Sequence, residues 1–426
     1  LHAINFYWQT GALLTALYLM SFYIFDLYNI HTRFTSGSYL ARFLISVLIG
    51  SALFAALSYF SAGFTSGQFS RKIFIVTVLF ITLLAYNWRI MYYSLFVASR
   101  KHRNIVIVGA GRSGKTIYDT VQQSSRNGLK IIGFLDDNPL KLYKPIGYNM
   151  VLGTSGMLTA LAQGGAVDTA VIAITREKRA DLLDSLLKAK LYGVEIYDMP
   201  TFYEEMTGKL PVDCLRDGWV AYAPFEGLKK GVYTLRLKRV FAVVLSLIGL
   251  ISTVPGCVRA AAAIRLDSKG PVLFRQKRIG LHGEPFNLLK FRTMTVGGEN
   301  DRRNAGEKDD PRITRVGRVL RLFRIDEIPQ MCSVLKGEMS FIGPRALIEE
   351  EVREFELKIP YFSLRHCIRP GITGWAQVNY KHGATVEDGH EKLQYDLFYI
   401  KNLTPLLDLH ILLKTLRVVL FHKGAR

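Results

Sequence analysis

Acidic residues are scarce in this chain: 35 Asp and Glu stand against 55 Lys and Arg, a formal net charge of +20 at pH 7. A surplus of that size points to anionic partners, whether phospholipid headgroups, nucleic acid or phosphorylated substrates, and by itself does not choose among them. Cysteine is scarce too. Cys214, Cys257, Cys332 and Cys367 lie far apart, with no C-x-x-C and no histidine at metal spacing, so neither a disulfide framework nor a zinc site is indicated. That fits a reducing, cytosolic setting for the soluble parts. Internal repeats and low-complexity segments are absent. Apolar residues, in contrast, make up 49% of the 426 positions, too many for an ordinary soluble enzyme of two or three domains.

Much of that apolar content is concentrated in the first hundred residues, in runs at about 6–28, 43–60 and 73–97. Each is close to the ~20 residues needed to cross a hydrocarbon core. Tyr7, Trp8, Tyr28, Tyr86, Trp88, Tyr92 and Tyr93 crowd their ends, where amphipathic rings favour the headgroup layer. Three transmembrane helices over 1–100 are expected. Arg33, Arg42, Arg100, Lys101 and Arg103 then share one side of the membrane and Arg71 and Lys72 the other, so the chain after Arg100 is expected in the cytosol. Because the sequence starts at Leu1 and three spans leave the N-terminus outside, an earlier segment, such as a fourth span, is expected to be missing.

From 101 to about 220 short β-branched runs alternate with helical stretches: "NIVIVG", "LKIIGFLDD", "TAVIAI", "YGVEIYD". That is the rhythm of a parallel, Rossmann-like α/β module. Its first turn, "NIVIVGAGRSGKT", satisfies two motifs at once. Gly109, Gly111 and Gly114 form a dinucleotide G-x-G-x-x-G, while Gly109 to Thr116 spells the G-x4-G-K-T of a triphosphatase. A triphosphatase needs a second carboxylate for Mg2+ at another strand end, and "TAVIAI" is followed by Thr175 and Arg176 instead. The dinucleotide reading has Asp136 or Asp137 near the ribose offset. The plain alternative is a glycine-tight turn that binds nothing. Membrane-bound nucleotide-sugar dehydratases have a similar N-terminal layout but need a Tyr-x-x-x-Lys pair, and here no Tyr has a Lys four residues later.

A Gly- and Pro-containing connector at about 207–231 leads to the last block. Val240 to Val258 is apolar and long enough to span a membrane, yet Arg236, Lys238 and Arg239 precede it, Arg259, Arg265 and Lys269 follow, and Pro255 interrupts it. Charge on both flanks suits two cytosolic ends, and proline removes a backbone donor. A re-entrant hairpin over about 237–264, broken at Pro255, is expected. Beyond it "GPVLFRQKRIGLHGEPFNLLKFRTM" carries Arg275, Lys277, Arg278, Lys290 and Arg292. Arg312, Arg315, Arg318, Arg321 and Arg324 then recur every third position; on a helix they fan over about 240°, so only the last two or three can face one ligand. Asp326 and Glu327 follow. Neighbours on a helix point about 100° apart, which suits two separate tasks, one carboxylate attacking and the other holding a metal. Arg345, Arg365, His366 and Arg369 add further polar groups; arginine offers a forked, permanently charged donor for phosphate oxygens. His366 reads as a structural histidine ahead of a general base.

"LKRVF", Pro255, "GPVLFRQKRIG", "KFRTM", "DEIPQ", "GEMSFIGPR", "RPGITGWAQVN" and "KLQYDLFYIKN…LLDLHILLKT" occur in that order over 232–426, and together they resemble the bacterial sugar transferase family, the monotopic phosphoglycosyl transferases. The spans and the Rossmann-like module resemble its larger, exopolysaccharide-type members. The resemblance implies a mostly helical α+β catalytic domain that transfers a sugar 1-phosphate from a UDP-sugar to undecaprenyl phosphate with release of UMP. Asp326 would attack the β-phosphorus, forming an aspartyl phosphosugar; Glu327 would help bind Mg2+; Lys290, Arg292, Arg321, Arg345 and Arg369 would contact phosphate. It further implies a multi-pass protein of the bacterial inner membrane with a cytoplasmic catalytic domain, working at the lipid bilayer without nucleic acid. The spans or the module would carry a homodimer. Three positions depart from the family pattern: Ala242 stands where Asp is usual, Val254 where a small polar residue precedes the break, and Ala346 where "GPRP" has its second proline. The competing reading is an inactive, transferase-like assembly or regulatory protein with a nucleotide-sensing module. A nucleic-acid binder would explain neither the apolar runs nor the acidic pair.

Overall fold

The computed structural model describes residues 2–28, 37–60, 71–97, 103–124, 128–174, 180–295, 312–380, 383 and 385–420. Expectations resting on Arg33, Arg100, Lys101, Thr175 and Arg176 lie outside these residues. The chain divides into two compact units, Leu1–Tyr197 and Asp198–Arg426.

In the first unit the three apolar runs form α1 (His2–Ile24), α2 (Gly37–Phe60) and α3 (Arg71–Tyr92). Tyr18, Phe22, Phe43 and Phe54 pack between them, Tyr18 and Ser51 sharing a hydrogen bond of 2.7 Å. Leu48, Val76 and Leu79 on the outer faces are exposed, as lipid-facing residues must be. Gly37–Leu57 and Phe74–Leu95 are long and apolar enough to cross a membrane, and Gly11–Ile24 is a shorter apolar stretch. Arg89, which hydropathy alone does not flag, donates to the Leu27 carbonyl at 2.8 Å and the Tyr39 hydroxyl at 2.7 Å, with its guanidinium 4.7 Å from the Phe22 ring centroid.

The α/β module contains β1 (Arg103–Val108), α4 (Arg112–Gln123), β2 (Leu129–Leu135), β3 (Pro145–Ile146), β4 (Asn149–Gly153), α5 (Met157–Gln163), β5 (Thr169–Ile172), α6 (Ala180–Leu191) and β6 (Glu195–Asp198). Its sheet runs β3-β4-β2-β1-β5-β6, with β1 parallel to β2 and β5, β2 parallel to β4, and β3 antiparallel to β4. Val106, Val108, Leu135 and Ile172 fill its core with Leu158 and Leu182 from the helices. The glycine loop sits at the carboxyl end of β1. Gly109 has φ +116°, and a Cβ there would lie 2.9 Å from the Ala173 carbonyl carbon; a Cβ on Gly114 would lie 2.0 Å from the Gly109 oxygen. Those two glycines are therefore required by the turn and by the approach of α4. Asp136 accepts from the loop amide of Ala110 at 2.8 Å, from Asn138 at 3.0 Å and from Lys141 at 2.9 Å. Although burial pulls the other way, those partners hold its carboxyl below the usual range. Asp137 accepts from the Ser155 amide and hydroxyl. Both candidate ribose contacts are thus engaged by the protein itself.

The second unit contains α7 (Met199–Thr207), α8 (Asp217–Tyr222), α9 (Lys238–Asp267), the antiparallel pair β7 (Leu273–Ile279) and β8 (Pro285–Phe291), α10 (Arg315–Leu322), α11 (Gln330–Lys336), β9 (Ser340–Ile342), α12 (Glu349–Lys358), β10 (Gly371–Thr373), α13 (Trp375–Asn379), α14 (Val386–Lys401) and α15 (Pro405–Leu420). The expected connector at 207–231 is not a linker. Leu210, Val212, Leu215 and Phe225 are buried with Phe355, Phe362, Leu393 and Leu397, and the division between units falls at Tyr197/Asp198 rather than between 220 and 232. Turn-rich composition marks a change of direction, and apolar side chains inside the turns still find the core.

A second correction concerns Pro255. The sequence reading expects the hairpin to break there, but α9 is one uninterrupted helix from Lys238 to Asp267 with Pro255 inside it. Interior proline costs roughly 3 kcal/mol, and packing on both sides of it offsets that cost. Ala242 is buried with Leu288, Val334 and Met339, and Ala260 and Ile264 with Phe291 and Leu320. The opposite face, with Ile248, Ile251 and Val258, is exposed. Ala242 is thus matched by apolar neighbours.

Candidate active site

The site is assembled around the end of α10. Thr314 caps that helix, its side-chain oxygen accepting from the Gly317 amide at 2.9 Å, and Gly317 sits so close to β8's continuation that a Cβ would be 2.1 Å from the Thr293 oxygen. After Leu322 the chain turns through Arg324 at φ +53° into a short 3-10 turn, Ile325–Glu327. This single left-handed residue separates the carboxylates from the arginine helix. The Arg series therefore ends as helix at Arg321, and Arg324 is outside it.

Asp326 is half-buried, and among the described residues none donates a hydrogen bond to it. Burial, reinforced by the neighbouring Glu327 charge, pushes its carboxyl from 3.8 up to about 6, against the opposing pull of Arg321, Lys290 and Arg345. Glu327 is ion-paired, with Arg345 Nη2 3.1 Å from Oε1 and Arg324 Nη1 3.7 Å from Oε2. The Glu327 charge in turn raises the Arg345 pKa. Arg321 donates from Nε to Thr293 Oγ1 at 2.8 Å, leaving its two terminal amines beyond that bond. Lys290, on β8, lies with Nζ 5.0 Å from the Phe274 ring centroid. Among the described residues one carboxylate is thus without a hydrogen-bond donor and more basic than usual, and the other pairs with two arginines.

Arg345 is held from behind. Arg365 donates to the Arg345 carbonyl at 2.9 Å and forms a buried ion pair with Asp396 at 2.9 Å. Burial raises Asp396 to about 6, with Arg365 and Lys392 opposing. A Cβ on Gly371 would be 2.1 Å from the Gly343 nitrogen, and one on Gly374 2.1 Å from the Gly343 oxygen, so "FIGPR" and "PGITGW" are the two sides of one close backbone crossing. His366 is neutral and structural: burial, then Arg365, lowers it to about 4.

Two other arginines singled out from the sequence lie apart from this cluster. Arg292 is buried and donates to the Ser268 and Lys269 carbonyls at 2.8 and 3.1 Å, clamping the carboxyl end of α9. Arg369 donates to the Gly337 carbonyl at 3.0 Å, at the far end of α11 from Glu327. The seven residues of α11, about 10 Å of helix, separate those ends. The anchoring network was not singled out from sequence. Asp408 accepts from Lys238 at 2.8 Å, Tyr399 at 2.6 Å and Tyr233 at 2.5 Å, and Arg239 donates to the Val334 and Leu335 carbonyls at the end of α11. Charge and hydroxyl groups inside the "LKRVF", "YIKN" and "LLDLH" motifs were the available signal. Beside Glu327 a cleft of about 130 Å³ opens between Arg324, Ile328, Met331, Ile372, Val378 and Val418.

A family model described as bacterial sugar transferase matches residues 233–422, and one described as CoA-binding domain matches residues 23–200. The UDP-glucose:undecaprenyl-phosphate glucose-1-phosphate transferase of Klebsiella pneumoniae is 31% identical over 334 residues, 76% of this chain and 69% of its own length. The chain belongs to the bacterial sugar transferase family. The site of this sugar transferase falls wholly inside the first matched segment. Another relative, the UDP-N-acetylgalactosamine-undecaprenyl-phosphate N-acetylgalactosaminephosphotransferase of Aeromonas hydrophila, is 36% identical over 241 residues, and the chain spans 56% of its length. The undecaprenyl-phosphate galactose phosphotransferase of Salmonella typhimurium is 28% identical over 399 residues, covering 88% of this chain and 80% of that one. These three relatives carry different sugars in their names. With its apolar helices, the transferase is a membrane protein built from membrane helices, an α/β module and a largely helical C-terminal region.

Proposed function

We propose that this transferase moves a sugar 1-phosphate from a UDP-sugar to undecaprenyl phosphate, releasing UMP, by way of a covalent intermediate on Asp326. The observation that carries the reading is the contrast within one 3-10 turn: Asp326 half-buried near the charges of Lys290, Arg321 and Arg345 and without a hydrogen-bond donor among the described residues, Glu327 ion-paired beside it. An Asp326 oxygen attacks the β-phosphorus, the bond from that phosphorus to the bridging oxygen breaks, and UMP departs with the electron pair. The phosphate of the lipid acceptor then attacks the same phosphorus and returns Asp326 to its carboxylate. Splitting the transfer allows one phosphate site to serve two bulky substrates in turn. Lys290, Arg321 and Arg345 would hold the diphosphate oxygens, and a carboxyl near 6 is ionised at neutral pH while remaining more basic than an ordinary aspartate.

Among the described residues no group of three or more His, Cys, Asp or Glu side chains could hold a metal. That donor set still suits Mg2+, which keeps several waters and binds through one or two carboxylates plus substrate phosphates. Glu327 would hold it together with the diphosphate, and the ion would supply neutralising charge for the departing UMP. We further propose that α9 does not cross the bilayer. Its first turns pack on Val334 and Leu288 and its last on Leu320 and Phe291, all in one domain, so both ends belong on the cytoplasmic face of the inner membrane. The test is trapping: protein incubated with Mg2+ and a UDP-sugar carrying label in the β-phosphate, without lipid acceptor, should retain the label on the peptide containing Asp326. Label on another residue, or turnover with no retained label at any time, would exclude the covalent route.

A further inference from the structure

Arg369 and Arg239 converge on Gly337: Arg369 Nε donates to its carbonyl at 3.0 Å, and a Cβ on Gly337 would lie 3.5 Å from Arg239 Nη2. The two guanidiniums border a cleft of about 210 Å³, distinct from the Asp326 site, at the opposite end of α11. Lys229, Lys230, Lys238 and His282 also line it, and no Asp or Glu does. Lys238 is neutralised by Asp408 and Lys229 by Glu226, so Lys230, Arg239 and Arg369 remain as cations with no carboxylate paired to them among the described residues. Like charges converging in a concave site are unfavourable unless an anion joins them. Arg239 already spends two donors on the end of α11, and Arg369 one on Gly337, which fixes both guanidiniums in place. Preorganised forks of this kind suit a phosphate group.

The cleft also stands at the start of the apolar helix. Leu228 and Leu235, which line it, are exposed, and so are Val232, Leu237, Val240 and Phe241 beside it. A phosphate bound there would have its ester substituent directed along an apolar surface that begins within one helical turn. A soluble nucleotide has no use for that surface. We infer that this cleft is a second phosphate site, taking the phosphate of a membrane lipid at headgroup depth and seating the C-terminal domain on the bilayer. This goes beyond the proposed transfer reaction and does not depend on Asp326.

Full-length protein in neutral detergent would be equilibrated separately with phosphatidylglycerol, undecaprenyl phosphate and UMP, and bound ligand counted by native mass spectrometry. The variants would be K230Q with R369Q, which spare the Lys238–Asp408 pair and the Arg239 clamp, and Asp326→Asn with Arg321→Gln for the reaction site. Near a membrane each basic residue contributes about fivefold in affinity, so the K230Q/R369Q chain should lose on the order of tenfold or more in lipid-phosphate retention. The reaction-site double variant should retain phosphatidylglycerol as the native chain does. Loss confined to phosphatidylglycerol would assign the cleft to bulk anionic lipid, and loss confined to undecaprenyl phosphate to the polyprenyl lipid; both support the inference. Equal retention of both lipids by native and K230Q/R369Q chains, or loss of UMP alone, would overturn it. A matched thermal midpoint for native and variant chains would rule out unfolding as the cause of any loss.

Discussion

Asp326 is held where a carboxylate is uncomfortable, and this has separable consequences for stability and for rate. Its folded pKa of about 6 lies above the ordinary 3.8, so between those values the folded chain keeps a proton that the unfolded chain releases. Stability therefore falls as pH rises through that window, and the cost is complete above pH 6. Asp326→Asn should raise the thermal midpoint at pH 7.5, reflecting a stabilisation of at most about 3 kcal/mol for a two-unit shift, and the gain should shrink at pH 5. An unchanged or lower midpoint at pH 7.5 would contradict the burial described above. In the rate the same group works in the other direction: kcat/KM for the UDP-sugar should fall below an apparent pKa near 6 as the nucleophile is protonated. Replacing Glu327 by Gln removes the repelling charge, so the acid limb of whatever activity remains should move to lower pH. The acidic pair was legible in sequence because it stands beside an arginine series and a proline. Arg292 was not separable from Arg321 and Arg345 in the same way, since a guanidinium that clamps a carbonyl and one that binds phosphate look alike until their partners are known, and the place of Arg369 at the other end of α11 is equally invisible in sequence.

At the scale of elements, α9 is anchored at its first turn by a buried charge. Lys238 and Asp408 are both largely shielded, and Tyr399 and Tyr233 add hydrogen bonds to the same carboxylate. Removing one partner strands the other, a loss of about 3–5 kcal/mol for a buried pair. Asp408→Ala should therefore lower the thermal midpoint sharply, while Lys238→Met combined with Asp408→Leu should recover much of the loss; a double variant no better than the single one would mean that the pair contributes more than mutual neutralisation. Gly374→Ala brings a Cβ to 2.1 Å from the Gly343 oxygen, backbone against backbone, and should reduce folded yield far more than Gly256→Ala, which meets nothing within 4 Å. The helices, the βαβ rhythm and the glycine loop were readable from periodicity, because each is a local pattern. The uninterrupted course of α9 was not, because it depends on Met331, Val334 and Leu320, which come from elements more than fifty residues later.

Across the whole molecule, the apolar runs and the last 190 residues could be assigned from sequence, whereas the extent of the C-terminal unit could not. Residues 207–231 have the composition of a linker, yet Leu210 and Val212 are fully buried in its core. Both ends of α9 packing on that one unit leads to a topology prediction. Single cysteines introduced at Gly231 and Lys269 in an otherwise cysteine-free chain should both react with an impermeant thiol reagent in inside-out vesicles and neither in right-side-out vesicles; labelling from opposite sides would mean a true span. The glycine loop, with Asp136 and Asp137 already satisfied within the protein, is accounted for by the turn it makes, so chemistry is expected at "RIDEIPQ". Protein held in a nanodisc with Mg2+, undecaprenyl phosphate and a panel of UDP-sugars should release UMP with at least one sugar, and Asp326→Asn should lower that rate by a thousandfold or more, on the order seen for loss of a covalent nucleophile. UMP release by Asp326→Asn at the native rate would contradict this account.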